Sequence, residues 1–334
     1  MTNESLSICI PTYNRVETLK ITLPDLIEKV QEFKIKIFIS DNNSTDETKD
    51  YVQYISKIYP YITYHKNNLN YGADKNMELA LELSDTPYSL LLSDHYILYD
   101  NTSIKKILDI INLNEKFDCI ILHYKNRMMF RNQNYLYTEK DLFLEELGWY
   151  IGMAATTIYS KEMIHELDNN KFIGTNFNQS LMLLDYISKK DYLKIQYIAE
   201  DTIWNMKGGI KGSSSWHDSV LEIFTKKWFE GIMSLSENYS FQAKVNCIKN
   251  HLKMTPGFYS IKSIILYRYT NGMTFFKVCK YFKYFLFCSN PKTVILSLIL
   301  SLIPNKFLRI LFKQQFEYTR NILKDIDKYK SDLN

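Results

Sequence analysis

The chain has 334 residues, 46% hydrophobic and 23% charged, enough to bury one large core or two modest ones and far from a disordered composition. A net charge of +4 is too small to imply nucleic-acid binding. Five scattered cysteines (Cys9, Cys119, Cys247, Cys279 and Cys288) without a CxxC pair argue against zinc or a disulfide framework and for a reducing, cytoplasmic setting. "MTNESLSICIPTYNR" has no basic region followed by an apolar one, so no signal peptide is expected.

Strand and helix signals alternate through the first third. "LSICI" (6–10) reads as a short strand stopped by Pro11, and Leu19, Leu23, Leu26, Ile27 and Val30 follow at helical spacing. "KIKIFIS" (34–40) alternates as a second strand, and Ser44/Thr45 with Glu47/Thr48 read as a capped helix start. "YITYH" (61–65) is a third strand. "ADKNMELALEL" (73–83) puts Ala73, Met77, Ala80 and Leu81 on one helical face. "YSLLL" (88–92) is a fourth strand, "NTSIKKILDII" a capped helix and "DCIILHY" (118–124) a fifth strand. This alternation predicts an α/β fold, a mostly parallel sheet covered by helices on both faces.

From about Asp141 the rhythm changes. "WYIGMAATTIYS" reads as extended, "NFNQSLMLLDYI" (176–187) as a helix and "YLKIQYIAE" as a strand, with helices predicted from Trp216 to the end. No Asp or Glu occurs from Asn238 to Phe316, while Lys and Arg recur throughout. The longest apolar run, "TVILSLILSLI" (293–303), ends at Pro304, short of the ~20 residues that a spanning helix needs. The expected organisation is a catalytic domain over 1–217, split at 125/126, and a basic helical region over 218–334.

With ten glycines, the chain has neither GxGxxG nor GxxxxGK[ST] to cradle phosphates. Ligands of such sheets sit beyond the carboxyl ends of the strands, where Asp41, Asn70 to Gly72 and Ser93 to His95 fall. "PTYNR" (11–15) offers a rigid turn, an aromatic face and a guanidinium. Asp41 can accept a base N–H or cap the following turn, and Asp94 can bind a ribose hydroxyl or a metal or cap a turn. Tyr13 can line a pocket or pack.

Taken in order, "SICIPTYNR", "FISDNNSTDET" and "NNLNYGADKNMELAL" resemble glycosyltransferase family 2, over about residues 5–125 and more loosely to "GGIKGSSSW". "LLSDHYIL" is most similar to the subgroup that includes abequosyltransferases of bacterial surface polysaccharides. The resemblance implies a GT-A fold with Pro11, Thr12, Tyr13, Arg15, Asp41, Gly72, Asn76, Ser93 and Asp94 around a nucleotide-diphosphate sugar. It also implies a divalent cation, Mn(II) or Mg(II), on Asp94 and the position held here by His95. An imidazole there departs from the family's acids and favours Mn(II) over Mg(II), or metal-independent catalysis. The family's base at the start of the second-half helix is replaced by amides, leaving the Glu200-Asp201 pair, His217 and Asp218 as base candidates, Asp201 and His217 foremost. Trp149, Asn178 and Trp216 are candidates for the acceptor side.

The reading is therefore an inverting glycosyltransferase, peripheral to the inner face of the cytoplasmic membrane. It would act on a lipid-linked oligosaccharide in O-antigen or capsule assembly, with no nucleic-acid partner. A sugar-phosphate nucleotidyltransferase, or a non-catalytic glycan- or partner-binding protein on the same fold, are the alternatives.

Overall fold

The structure, a computed structural model, describes residues 4–113, 115–125, 127, 130–167, 171–205, 217–254 and 259–311. The chain divides into two compact units, Met1–Lys207 with Leu235–Ser240, and Gly208–Ser234 with Phe241–Asn334. The second is thus not one uninterrupted segment after residue 217. Tyr239 OH donates to the Leu184 carbonyl (2.9 Å) and Asn238 Nδ2 to that of Ser188 (3.0 Å), holding Leu235–Ser240 on the first unit.

The first unit carries, in chain order, β1 (Leu6–Thr12), α1 (Val16–Val30), β2 (Lys36–Asp41), α2 (Thr48–Ile58), β3 (Ile62–Lys66), α3 (Ala73–Glu82) and β4 (Tyr88–Leu91). It continues with β5 (Tyr96–Leu98), α4 (Ser103–Ile111), β6 (Cys119–Tyr124), β7 (Tyr135–Tyr137) and α5 (Lys140–Leu147). Next come β8 (Thr157–Ser160), α6 (Lys161–Glu166), α7 (Asn178–Ser188) and β9 (Ile195–Asn205). One nine-stranded sheet runs β3-β2-β1-β4-β8-β6-β9-β5, with β7 on β9. Strands β3, β2, β1 and β4 are mutually parallel, as the alternating pattern requires. Beyond β4 the sheet is mixed: β4/β8, β6/β8, β5/β9 and β7/β9 pair antiparallel and only β6/β9 parallel.

Local chemistry accounts for the elements and for the departures. Leu19, Leu23, Leu26, Ile27 and Val30 are the buried stripe of α1. The N-cap of α2 is Glu47, which makes no side-chain cap, and the turn into the helix is held instead by Asp46, whose Oδ1 accepts from Thr48 N (3.1 Å) and Thr48 Oγ1 (2.6 Å). Helix α3 buries Asn76, Glu78, Ala80 and Leu81, while Ala73 is exposed. Polar residues take the inner face there because Asn76 meets the strand carbonyls. In 149–160 the chain first makes a 3-10 turn at Tyr150–Gly152, and only Thr157–Ser160 is strand.

The second unit contains α8 (Trp228–Met233), α9 (Phe241–Met254), α10 (Ile261–Tyr269), α11 (Phe275–Lys280), α12 (Phe282–Cys288), α13 (Pro291–Leu302) and α14 (Asn305–Leu311). It is helical throughout its described residues, with a core of its own that includes Leu221, Ile264, Tyr267, Val278, Phe285 and Leu300. Breaks follow side-chain caps: Ser260, Thr274 and Asn290 accept from the backbone N–H groups of Ser263, Lys277 and Thr293.

Candidate active site

Four strand ends of the first unit meet at one edge. Thr12 closes β1 and its Oγ1 donates to Asp94 Oδ2, just after β4, at 2.9 Å. The Asp94 carbonyl accepts from Thr22 Oγ1 of α1 (2.8 Å) and Ser93 N donates to the Ala154 carbonyl (2.8 Å), so the "SDH" turn is held from both sides. Asp94 is only 8% exposed. The turns after β1 and β2 are latched together: Asn14 N donates to Ser44 Oγ and Thr45 N to Asn14 Oδ1, each at 2.8 Å. Asn14 and Asn43 take φ +48° and +65°, the left-handed conformation that asparagine tolerates. Pro11 is buried, and Tyr13 and Arg15 are half-buried on the same turn.

Asp41, ending β2, is fully buried with both oxygens engaged. Oδ1 accepts from Ser44 N (2.8 Å) and Oδ2 from Tyr64 OH (2.5 Å). Burial first, and then the Asp41 bond, push the Tyr64 hydroxyl far above its ordinary range, so it stays a donor. Asn42 Nδ2 donates to Asn70 Oδ1 (2.7 Å) and the Gly72 carbonyl (3.2 Å), and Tyr71 N donates to Asn42 Oδ1 (2.9 Å). This fixes the 67–72 turn over the β2 end. Gly72 has φ +84° and opens α3. Asn76 accepts from Ser40 Oγ and Asn67 Nδ2, and donates to the carbonyls of Thr12 (3.3 Å) and Ser40 (3.1 Å). With two acceptor and two donor positions filled, its amide braces the edge from behind. Tyr64, Asn42 and Asn67 were not singled out by the sequence. The asparagine-rich "DNNSTDET" and "KNNLNYG" were the available signal.

His95 is 44% exposed at its side chain, and its Nδ1 lies 3.6 Å from Asp94 Oδ1. Its ring rests on Tyr96 with centroids 4.2 Å apart. Among the described residues no group of three or more His, Cys, Asp or Glu converges as a metal site.

The remaining candidates lie elsewhere. Asp201, on β9, has Oδ1 3.8 Å from His123 Nε2, while His123 Nδ1 is 2.7 Å from Tyr197 OH. Burial, only partly opposed by Asp201, keeps the His123 imidazole below its usual pKa. His217 belongs to the second unit, where its carbonyl accepts from Thr270 Oγ1 at 3.3 Å. Trp149 is half-buried, its ring 6.3 Å from that of Phe177. Asn178, first in α7, is fully buried, and neither amide atom has a hydrogen-bond partner among the described residues. Trp216 lies outside the described residues.

The family model described as glycosyl transferase family 2 matches residues 7–174, half of the chain and every strand end just described. The chain belongs to glycosyl transferase family 2. It is 29% identical over 215 residues to abequosyltransferase RfbV of Salmonella typhimurium, 55% of this chain and 64% of that protein. It is 33% identical over 91 residues to a GalNAc(5)-diNAcBac-PP-undecaprenol beta-1,3-glucosyltransferase of Campylobacter jejuni, 27% of this chain and 29% of that one. The chain thus spans less than two thirds of either relative. Among solved structures, TarS 1–349 of S. aureus superposes with a TM-score of 0.53 at 15% identity, covering 98% of this chain and 90% of that one. At that identity the likeness establishes the fold: the family 2 chain has the expected GT-A architecture.

Proposed function

We propose that this family 2 chain transfers a glycosyl group from a nucleotide-diphosphate sugar to a lipid-linked glycan in bacterial O-antigen or capsule assembly, inverting the anomeric carbon. The observation that carries the reading is the Thr12–Asp94 hydrogen bond. It draws the end of β1 onto the carboxylate after β4, at the edge that also holds Asp41 and the Gly72 turn. Support for the acceptor is the Campylobacter relative, whose name specifies a PP-undecaprenol glycan.

In this reading Pro11, Thr12, Tyr13, Arg15 and Asp41 surround the nucleoside, and Ser93 and Asp94 face the ribose and diphosphate. The diphosphate lies over the first turn of α3, where the helix dipole favours an anion. Asp41 takes a base N–H after Tyr64 yields its Oδ2. Asp94 and His95 would hold a divalent cation with the diphosphate oxygens, Mn(II) suiting the imidazole better than Mg(II). Such an ion offsets charge on the departing nucleoside diphosphate. Of the base candidates, Asp201 shares a unit with Asp94 and is the one assigned to deprotonate the acceptor. Trp149 and Asn178 are assigned to the acceptor side.

The stretch from Asn238 to Phe316, without a single acid and with recurring Lys and Arg, suits peripheral residence at the inner face of the cytoplasmic membrane. Among the described residues no helix is long and apolar enough to cross a membrane.

Calorimetry against a panel of UDP-, GDP-, CDP- and dTDP-sugars tests the donor assignment. One nucleotide class is expected to bind, and Asp94→Ala and Asp41→Ala each to weaken it by roughly 1–3 kcal/mol, about tenfold to a hundredfold, with thermal unfolding retained. Unchanged affinity in both variants removes the pocket from Asp41 and Asp94.

A further inference from the structure

Helix α13 buries two serines beside Val294 and Leu300 while it leaves an apolar stripe exposed. Its buried positions are Val294, Ser297, Leu300 and Ser301, whereas Ile295, Ile299 and Leu302 are 56%, 53% and 65% exposed. A helix in water turns its serines outward and its isoleucines inward. Here two serines occupy the inner face, Ser301 Oγ bonding back to the Leu298 carbonyl at 2.7 Å. Ser297 Oγ is buried with no partner among the described residues. The outward residues recur at 295, 299 and 302, one continuous stripe down the helix. Helix α14 adds Phe307 and Ile310, 57% and 71% exposed. A stripe of this kind is a surface built to be covered.

Charge identifies what covers it. Exposed lysines flank the stripe, Lys292 in the first turn of α13 and Lys306 beyond Pro304. No carboxylate pairs with either among the described residues, and no acid occurs anywhere from Asn238 to Phe316. A second copy of the chain would bring this basic surface against its own like. An anionic bilayer offers both complements at once, acyl chains for the isoleucines and head-group phosphates for the lysines.

We propose that the Ile295–Ile299–Leu302 stripe of α13, with Phe307 and Ile310, is the face that docks the protein into the interface of an anionic lipid bilayer. The inference deepens the peripheral-membrane part of the function proposed above and rests on it. It does not depend on the donor site. The test is flotation of the full chain with phosphatidylglycerol-containing vesicles, without donor or acceptor, for the wild type, Ile295→Ser/Ile299→Ser and Lys292→Glu/Lys306→Glu. Wild-type protein is expected to float with these vesicles and to float poorly with pure phosphatidylcholine ones. Both double variants should lose at least tenfold in vesicle affinity while keeping the wild-type unfolding midpoint, because the replaced side chains are exposed. Wild-type flotation that neither variant weakens overturns this face and leaves the membrane reading intact. Absence of wild-type flotation overturns both. If sedimentation shows a dimer that Ile295→Ser/Ile299→Ser converts to monomer, the stripe is an interface between copies and the lipid assignment falls.

Discussion

At Gly72 the backbone has φ +84° and a Cβ would meet nothing within 4 Å, whereas at Gly272 a Cβ would lie 2.0 Å from the carbonyl oxygen of His217. The first glycine is required for its dihedral and the second for its missing side chain. Gly72→Ala is expected to lose roughly 1–3 kcal/mol of stability from strain alone, since φ +84° with ψ 167° is a conformation essentially confined to glycine. Gly272→Ala forces the backbone at His217 away from the turn after α10, and should lose about 3 kcal/mol or more. Urea unfolding of the two variants decides it. Equal losses would show that the His217 carbonyl does not abut Gly272. Only the first glycine was legible in "NNLNYGADKN", because the neighbour that demands the second is brought to it by the fold.

Helices carry their own unpaired carbonyls, and α13 resolves this with a buried cation. Arg268 of α10 is 9% exposed. Its Nε donates to the Leu300 carbonyl (3.2 Å) and its Nη2 to that of Ile303 (3.0 Å). No carboxylate pairs with it among the described residues. The C-terminal end of the helix dipole supplies the negative potential instead. Burial lowers the guanidinium pKa, yet it stays charged at any ordinary pH. Arg268→Met should cost about 2–4 kcal/mol, since two charge-assisted hydrogen bonds go and two carbonyls stay buried. Amide exchange should accelerate along α13 and stay slow in β1–β4. Uniform acceleration in both units, or none, would contradict the capping role. The sequence reads Arg268 only as one of many tail cations, because its acceptors are carbonyls that any residue could present.

Across the whole molecule, two histidines are held neutral by burial and act on acid stability in the same direction. His251 of α9 is fully buried, and desolvation pulls its pKa down to about 3. His123 in β6 is lowered by the same cause. The folded pKa lies below the unfolded value of ~6.5, so the unfolded chain binds more protons between the two. Stability therefore falls as pH drops below about 6.5, and neither residue contributes to pH dependence above about 7. By pH 4 the loss through His251 alone is on the order of 3 kcal/mol. Denaturant midpoints from pH 7 to 4 should fall steeply for wild type and less so for His251→Leu. Parallel profiles would mean that another group carries the acid sensitivity.

Elements with strong local period, and the residues at their ends, are legible in the order of amino acids alone. "LSICI", "KIKIFIS", "YITYH" and "YSLLL" became β1 to β4, Asp41 and Asp94 closed or followed two of them, and the acid-free stretch became a helical unit. These features are local, because apolar period and turn chemistry act over a few neighbours. Which groups those ends meet is set by long-range packing. Thr12 finds Asp94 across 82 positions of chain and Tyr64 finds Asp41 across 23. Asn76 turns inward because strand carbonyls await it, and beyond β4 the strand order mixes directions that alternation cannot foretell. The apolar face of α13 was legible as composition, but not its orientation. Period records that a helix has an apolar side, while the partners across the core determine which side is buried.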